Sequence, residues 1–163
     1  MGIQNSLRDW VTQPKDIAET LFESYQQLFT SSNLVIEEVA LNHMEKSFTN
    51  EMNAMLMQEF TELEVEVALK QMAPLKAPAP NGMPPLFYQN FWSLVGDDVS
   101  KTILSMLNSA TIPYPLNHTV ITLIPKTKNP LATTDYCPIS LCNVLYKLFS
   151  KVLANRVKKI LPS

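Results

Sequence analysis

Glycine is scarce in this chain, with three residues in 163 beside twelve prolines. Few positions can therefore take a positive φ freely, and turns must be built from proline, asparagine and polar clusters. Cysteine is scarcer still. Cys137 and Cys142 stand five residues apart without a partner pair, a spacing that fits neither a disulfide framework nor a zinc site. His43 and His118 are the only histidines available as further ligands. Reduced thiols in an intracellular compartment, nucleus or cytoplasm, are the expectation. Long apolar runs are absent, because charged or polar residues interrupt each one before it could span a bilayer. No cationic start leads into an apolar stretch, so neither a secretory signal nor a membrane partner is expected. Met1-Gly2-Ile3-Gln4-Asn5-Ser6 fits the loose myristoylation pattern, but no polybasic cluster supports it and a chance match is the preferred reading. The sequon Asn117-His118-Thr119 has no meaning without secretion.

Acids are nearly missing from the C-terminal part. Residues 126–163 hold Asp135 alone against seven lysines and arginines, whereas residues 1–125 hold fourteen acids against six bases. Such a split suggests that the C-terminal part meets a polyanion. The same split would arise if the basic segment docked on the acidic helices of its own chain. Charge alone leaves both readings open.

What is present reads as a mostly helical α+β chain with a short antiparallel β-hairpin. Pro14 suits a first helical turn, and Ile17, Leu21, Tyr25 and Leu28 recur at helical spacing, which predicts a helix over 14–30 ended by the polar turn Thr30-Ser31-Ser32-Asn33. Residues 34–57 are weakly patterned, with room for one short helix. Thr61-Glu62-Leu63-Glu64 is a capping-box sequence, and behind it Val65, Ala68, Leu69 and Met72 form one apolar stripe, predicting a helix over 62–72. Proline excludes helix or central strand over 74–85. Two helices are expected at 86–95 and 98–109, divided by Gly96-Asp97, then a connector over Thr111–Pro115. His118–Ile124 is rich in β-branched residues and bounded by Pro125, the pattern of a strand. A second short strand is expected near Ile139–Leu141. Residues 143–161 predict a long helix with Leu145, Leu148, Phe149, Val152, Leu153, Val157 and Ile160 facing inward.

Four segments carry chemistry. Lys76-Ala77-Pro78-Ala79-Pro80-Asn81-Gly82 is a proline-rich run ending in a turn that Asn and Gly favour. Ile124-Pro125-Lys126, with Lys128, places ammonium groups where a strand ends, and a lysine there binds phosphate as a compact point charge. Tyr136-Cys137-Pro138-Ile139-Ser140-Leu141 forms the third. The fourth is the helix Asn143 to Lys159, whose Lys147, Lys151 and Lys158 share one face able to track a phosphate backbone. On spacing alone Lys126 and Lys128 read as two solvated loop lysines, and the helix lysines read equally as a solvated basic face. One further string, Val95-Gly96-Asp97-Asp98, has the paired aspartates of a polymerase signature. It stands between two helix patterns, so Asp97 is read as an N-cap.

Taken in order, these segments resemble the start of a reverse transcriptase from a LINE-type (non-LTR) retrotransposon, most like the plant members. The likeness runs from about Trp10 to Ser163. It implies a helical connector over 1–60 and the fingers part of the polymerase over 61–163. It also implies contacts to template or nucleotide from Lys126, Lys128, Lys147, Lys151 and Lys158. At three positions the sequence departs from the family pattern: Ala79 stands for glycine, Asn81 for aspartate, and Cys137 for an arginine whose guanidinium fork a thiol cannot replace. Family polymerases use Mg2+ held by palm aspartates that lie beyond this stretch, so the expectation is no metal, no cofactor and no polymerase activity from this chain alone. The alternative is a nucleic-acid-binding module with weak affinity for RNA or DNA. Surface that a palm would cover, within 139–160, is expected to favour self-association.

Overall fold

A computed structural model describes residues 2–31, 48–77 and 81–161. In chain order the elements are β1 (Ile3–Gln4), β2 (Trp10–Val11), α1 (Pro14–Phe29), α2 (Asn50–Leu56), α3 (Glu62–Lys70), α4 (Pro85–Asn90), α5 (Trp92–Ser109), α6 (Tyr114–Asn117), β3 (Val120–Pro125), a 3-10 turn (Thr133–Asp135), β4 (Tyr136–Leu141) and α7 (Val144–Lys158). The class is the expected one, mostly helical α+β with β1–β2 and β3–β4 as separate antiparallel pairs. Contacts divide the chain into two compact units, Met1–Glu45 with Thr122–Ile139 and Lys46–Ile121 with Ser140–Ser163. Both β3 and β4 thus begin in one unit and end in the other.

The first unit is built on small polar devices. In the hairpin β1–β2, Ile3 pairs with Val11 and Gln4 with Trp10. Its loop is held by the Asn5 side chain, whose Oδ1 accepts from the Leu7 and Asp9 amides at 3.0 and 2.8 Å. Helix α1 begins at Pro14, which fits a first turn because its missing N–H would have no partner there. None of its residues is fully buried, and Phe22, Leu28 and Phe29 stay exposed. Ser24 Oγ donates to Thr133 Oγ1 at 3.0 Å, fixing α1 to the 3-10 turn.

The second unit holds the core. Val65, Ala68, Leu69 and Met72 of the predicted stripe are all buried, together with Tyr88, Val99, Ile103, Met106, Val144, Leu148 and Val152. Helices α3, α5 and α7 pack on one another around them. Each Leu, Ile or Val side chain buried this fully contributes about 1.5–3 kcal/mol. The capping box forms as read: Thr61 Oγ1 accepts from the Glu64 amide at 3.3 Å, and Glu64 Oε2 accepts from the Thr61 amide at 2.9 Å. At the other end of α3, Gln89 Nε2 donates to the Leu69 and Met72 carbonyls, adding to the bond that the Leu69 carbonyl already accepts from the Met72 amide.

One long-range polar assembly joins α7 to the start of α3. Arg156 is 6% exposed. Its Nε and Nη2 donate to the two Glu64 carboxylate oxygens at 2.8 and 2.9 Å. The remaining donors reach the carbonyls of Leu56 (3.1 Å), Gln58 and Glu59 (2.6 Å). The Phe60 ring lies under the guanidinium, 3.6 Å from its carbon. All five guanidinium N–H groups are thereby used.

Several expectations change. The break between the middle helices falls at Phe91, not at Gly96-Asp97, and both of those residues lie inside α5. Asp97 is no N-cap; its carboxylate pairs with Lys101 one turn on, at 2.6 Å. Gly96 sits mid-helix because the Trp92 indole lies across it, and a Cβ there would come within 2.8 Å of the ring. The connector after residue 111 contains the short helix α6. Strand β4 starts earlier than expected, at Tyr136. On α7, Leu153 and Val157 are 37% and 41% exposed, while Arg156 takes the core-facing place between them. Residues 32–47, which carry most of the weak 34–57 segment, lie outside the described residues, as do Pro78, Ala79 and Pro80.

Two outcomes follow for stability. Arg156→Ala leaves a carboxylate and three carbonyls without their donor, and should lower the unfolding free energy by about 3–5 kcal/mol in urea titrations followed by circular dichroism. Arg156→Lys should recover only a small part, since an ammonium cannot serve that planar array. The second outcome concerns acid. Arg156 chiefly, with the Thr61 amide and hydroxyl adding to it against the opposing effect of burial, holds the Glu64 carboxyl down at about 2 against an ordinary 4.5. A depressed folded value means that stability is present above 4.5 and is lost as pH falls from there toward 2. The drop in urea midpoint between pH 5 and pH 3 should therefore be smaller in Glu64→Gln than in the wild type.

Candidate nucleic-acid interface

Helix α7 begins with an Asn143 cap, whose Oδ1 accepts from the Leu145 amide at 2.9 Å. From there Val144, Leu148, Val152 and Arg156 follow at four-residue spacing and turn inward. At 100° per residue, Lys147, Lys151 and Lys158 fall within about 40° of one another on the surface outside that row. They are not equivalent. Lys147 Nζ donates to the Ala77 carbonyl at 3.2 Å, tying the first turn of α7 to the proline-rich segment. Among the described residues Lys151 and Lys158 make no hydrogen bond or ion pair, and Lys158 shares a cleft of about 500 Å³ with Leu63, Val67, Gln71, Asn155 and Lys159. Lys159, absent from the expected set, is exposed and its side chain is equally unpaired among the described residues. Its signal was the doubled lysine at the helix end.

Arg156 resolves part of the charge split. It docks on an acid of its own chain, Glu64, whereas among the described residues no lysine of α7 forms an ion pair. The internal-docking reading thus accounts for one cation, and the lysines stay outside.

The hairpin lysines and Cys137 belong to the first unit. Lys126 starts the β3–β4 loop: its amide donates to the Asp135 carbonyl at 2.8 Å and its Nζ to the Thr134 carbonyl at 2.9 Å. Its ammonium is thus partly engaged by its own loop. Asp135 anchors that loop by accepting from the Leu131 and Ala132 amides at 2.9 and 3.0 Å. Those amides, Ala132 first, hold its carboxyl below the usual range, with the Lys126 charge adding to the effect. Beside Lys126 lies a cleft of about 410 Å³ lined by Ser24, Tyr25, Thr133 and Tyr136. Lys128 lies exposed in the loop with no partner among the described residues. Cys137 is half-buried on β4 near the Tyr25 phenol, whose ionisation is pushed up by burial first and then by Cys137 and Tyr136.

Of the other degenerate positions, Asn81 performs a turn role. Its Oδ1 accepts from the Met83 amide at 3.2 Å, and Gly82 takes a φ of +72°. An aspartate could make the same turn, since the bond needs only a side-chain oxygen. Ala79 is outside the described residues. The paired Asp97 and Asp98 are successive helical residues, so their side chains diverge by about 100° rather than converging on one ion. Among the described residues no group of three or more His, Cys, Asp or Glu side chains is placed to hold a metal. No helix among them is long and apolar enough to cross a membrane.

No family model matches the chain. Over 98 residues it is 28% identical to the Transposon TX1 uncharacterized 149 kDa protein of Xenopus laevis, a match covering 60% of this chain and 8% of that protein. The chain therefore spans a small part of this curated relative, and the likeness supports an origin in a transposable element.

Proposed function

We propose that this chain is the connector and fingers portion of a LINE-type, non-LTR reverse transcriptase, plant-like in its motifs, and that by itself it does not polymerise. The observation that carries this reading is the similarity to a transposon protein, joined to four motifs that stand in the family's order. The placement of Asp97 and Asp98 inside α5 supports the absence of catalysis, because two-ion phosphoryl transfer needs carboxylates that converge. Primer extension on a homopolymer template with Mg2+ tests it. The expected result is no template-dependent product, and synthesis by the purified chain would overturn the reading.

A second reading is favoured by one observation, the unpartnered ammonium groups of Lys151 and Lys158 on one flank of α7. On this reading the chain retains weak, sequence-independent affinity for single-stranded RNA or DNA. Binding should weaken as salt rises, by about 0.7 in log K per log salt for each phosphate neutralised. Lys151→Ala with Lys158→Ala should lower both the affinity and the salt slope. Lys126→Ala should change them less, because the Thr134 carbonyl already engages that ammonium. Fluorescence anisotropy with a labelled oligonucleotide at two salt concentrations measures both quantities. Equal effects at the two sites, or no binding at low salt, would contradict this assignment.

A further inference from the structure

Within the second unit, the cleft of about 500 Å³ between α3 and α7 has two unlike walls. On the α3 side Leu63, Val67 and Gln71 follow at four-residue spacing. Helix α3 buries Val65, Ala68 and Leu69 in the core, yet Leu63 and Val67 are 67% and 41% exposed. The same helix thus turns a second apolar strip outward. On the α7 side stand Asn155, Lys158 and Lys159, and Lys151 continues that flank one turn earlier. At 100° per residue these four fall within about 100° of one another.

The charges in this cleft do not cancel. Glu64 is the one carboxylate that lines it, and the Arg156 guanidinium already pairs with that group. Lys158 and Lys159 remain, with no ion pair among the described residues. A net positive cleft attracts anions and disfavours basic ligands. Asn155 supplies a separate observation. It is half-buried in the cleft wall, and its side-chain amide makes no hydrogen bond among the described residues. The Gln71 side-chain amide, on the α3 wall, is likewise without a partner there. An amide offers a donor and an acceptor side by side, an arrangement that complements the edge of a nucleic-acid base.

We propose that this cleft takes one unstacked base of a single strand, with the lysines on the adjoining phosphates. The inference rests on the reading of α7 as a phosphate-binding row, and it adds the part of the ligand that is not phosphate. Leu63 and Val67 cover one face of the base, and the Asn155 and Gln71 amides meet its edge. Lys158 and Lys159 flank it with positive charge. A free phosphate would use the lysines and leave the apolar strip in water. Single strands can splay a base out in this way, whereas a duplex keeps its bases stacked and paired. The volume lies within the range of small-ligand sites, about 300–1,000 Å³.

The test uses the full chain and fluorescence anisotropy at low salt. The probes are a short labelled single-stranded DNA and an oligomer with the same number of phosphates in which every sugar is abasic. The intact strand should bind at least about five-fold more tightly, the effect of one hydrogen bond with its apolar contact. The two salt slopes should be equal, because the phosphates are equal in number. Leu63→Ser and Asn155→Leu should each close most of that gap and leave the slope unchanged, while their affinity for a duplex of the same sequence stays at the wild-type value. Leu63 is exposed, so its replacement reports on binding without disturbing the core. Lys158→Ala should lower affinity and slope for both strands alike. Equal affinity for the intact and abasic strands would overturn the base assignment and leave the phosphate reading standing. A gap that persists in both variants would place the base elsewhere and overturn it too. No binding of either strand at low salt would remove the phosphate reading along with it. A glutamate-rich peptide of equal charge that binds as tightly as the intact strand would reassign the cleft to an acidic protein.

Discussion

The second unit depends on one buried cation. Arg156 lies 92 residues from Glu64 in sequence, and their bidentate pair fixes the last turns of α7 to the first turn of α3. Glu64 serves two structures at once, closing the capping box on Thr61 and receiving the guanidinium. The carbonyls of Leu56, the last residue of α2, and of Gln58 and Glu59 just past it would otherwise lack donors where the chain turns into α3. A charge this buried is tolerated only when every donor is matched, and here every one is. The apolar core of α3, α5 and α7 supplies most of the stabilisation, while Arg156 sets how α7 is rotated against that core.

That rotation governs what the surface offers. With Arg156 turned inward, Leu153 and Val157 lie on the exposed side of α7, and the half-buried Lys151 and the exposed Lys158 have no partners among the described residues. The same helix thus provides both an internal cation that builds the fold and external cations free to meet a polyanion. The hairpin lysines divide in the same way, Lys126 being partly absorbed by its own loop and Lys128 exposed with no partner among the described residues. Lys151 and Lys158 share one flank of a single helix, and in physical terms that pair is the better candidate for phosphate contact.

Much of this was legible in the sequence where a local pattern decided the outcome. The Thr61–Glu64 box, the Val65–Met72 stripe, the Pro14 start and the Asn143–Lys159 helix all formed within a few residues of their expected places. What was not legible depended on partners far along the chain. An arginine among lysines on a basic helix gives no local sign that it will be buried against a glutamate 92 positions away. Gly96-Asp97 reads as a helix break by residue type, and only the indole of Trp92 lying on Gly96 explains why the helix runs through it. The hairpin of Ile3–Gln4 and Trp10–Val11 is too short to show any periodicity. At the candidate interface the sequence singles out the lysines only as a set. It could not tell Lys147 and Lys126, which bond to backbone carbonyls, from Lys151 and Lys158, which do not.

The most direct test of the functional account is to map a short single-stranded RNA onto the protein by NMR at low salt. The account predicts that the largest shifts cluster at Lys151, Lys158 and their neighbours on α7, and that they fade together as salt is raised. Shifts absent from α7, or a pattern on α7 that is indifferent to salt, would contradict it.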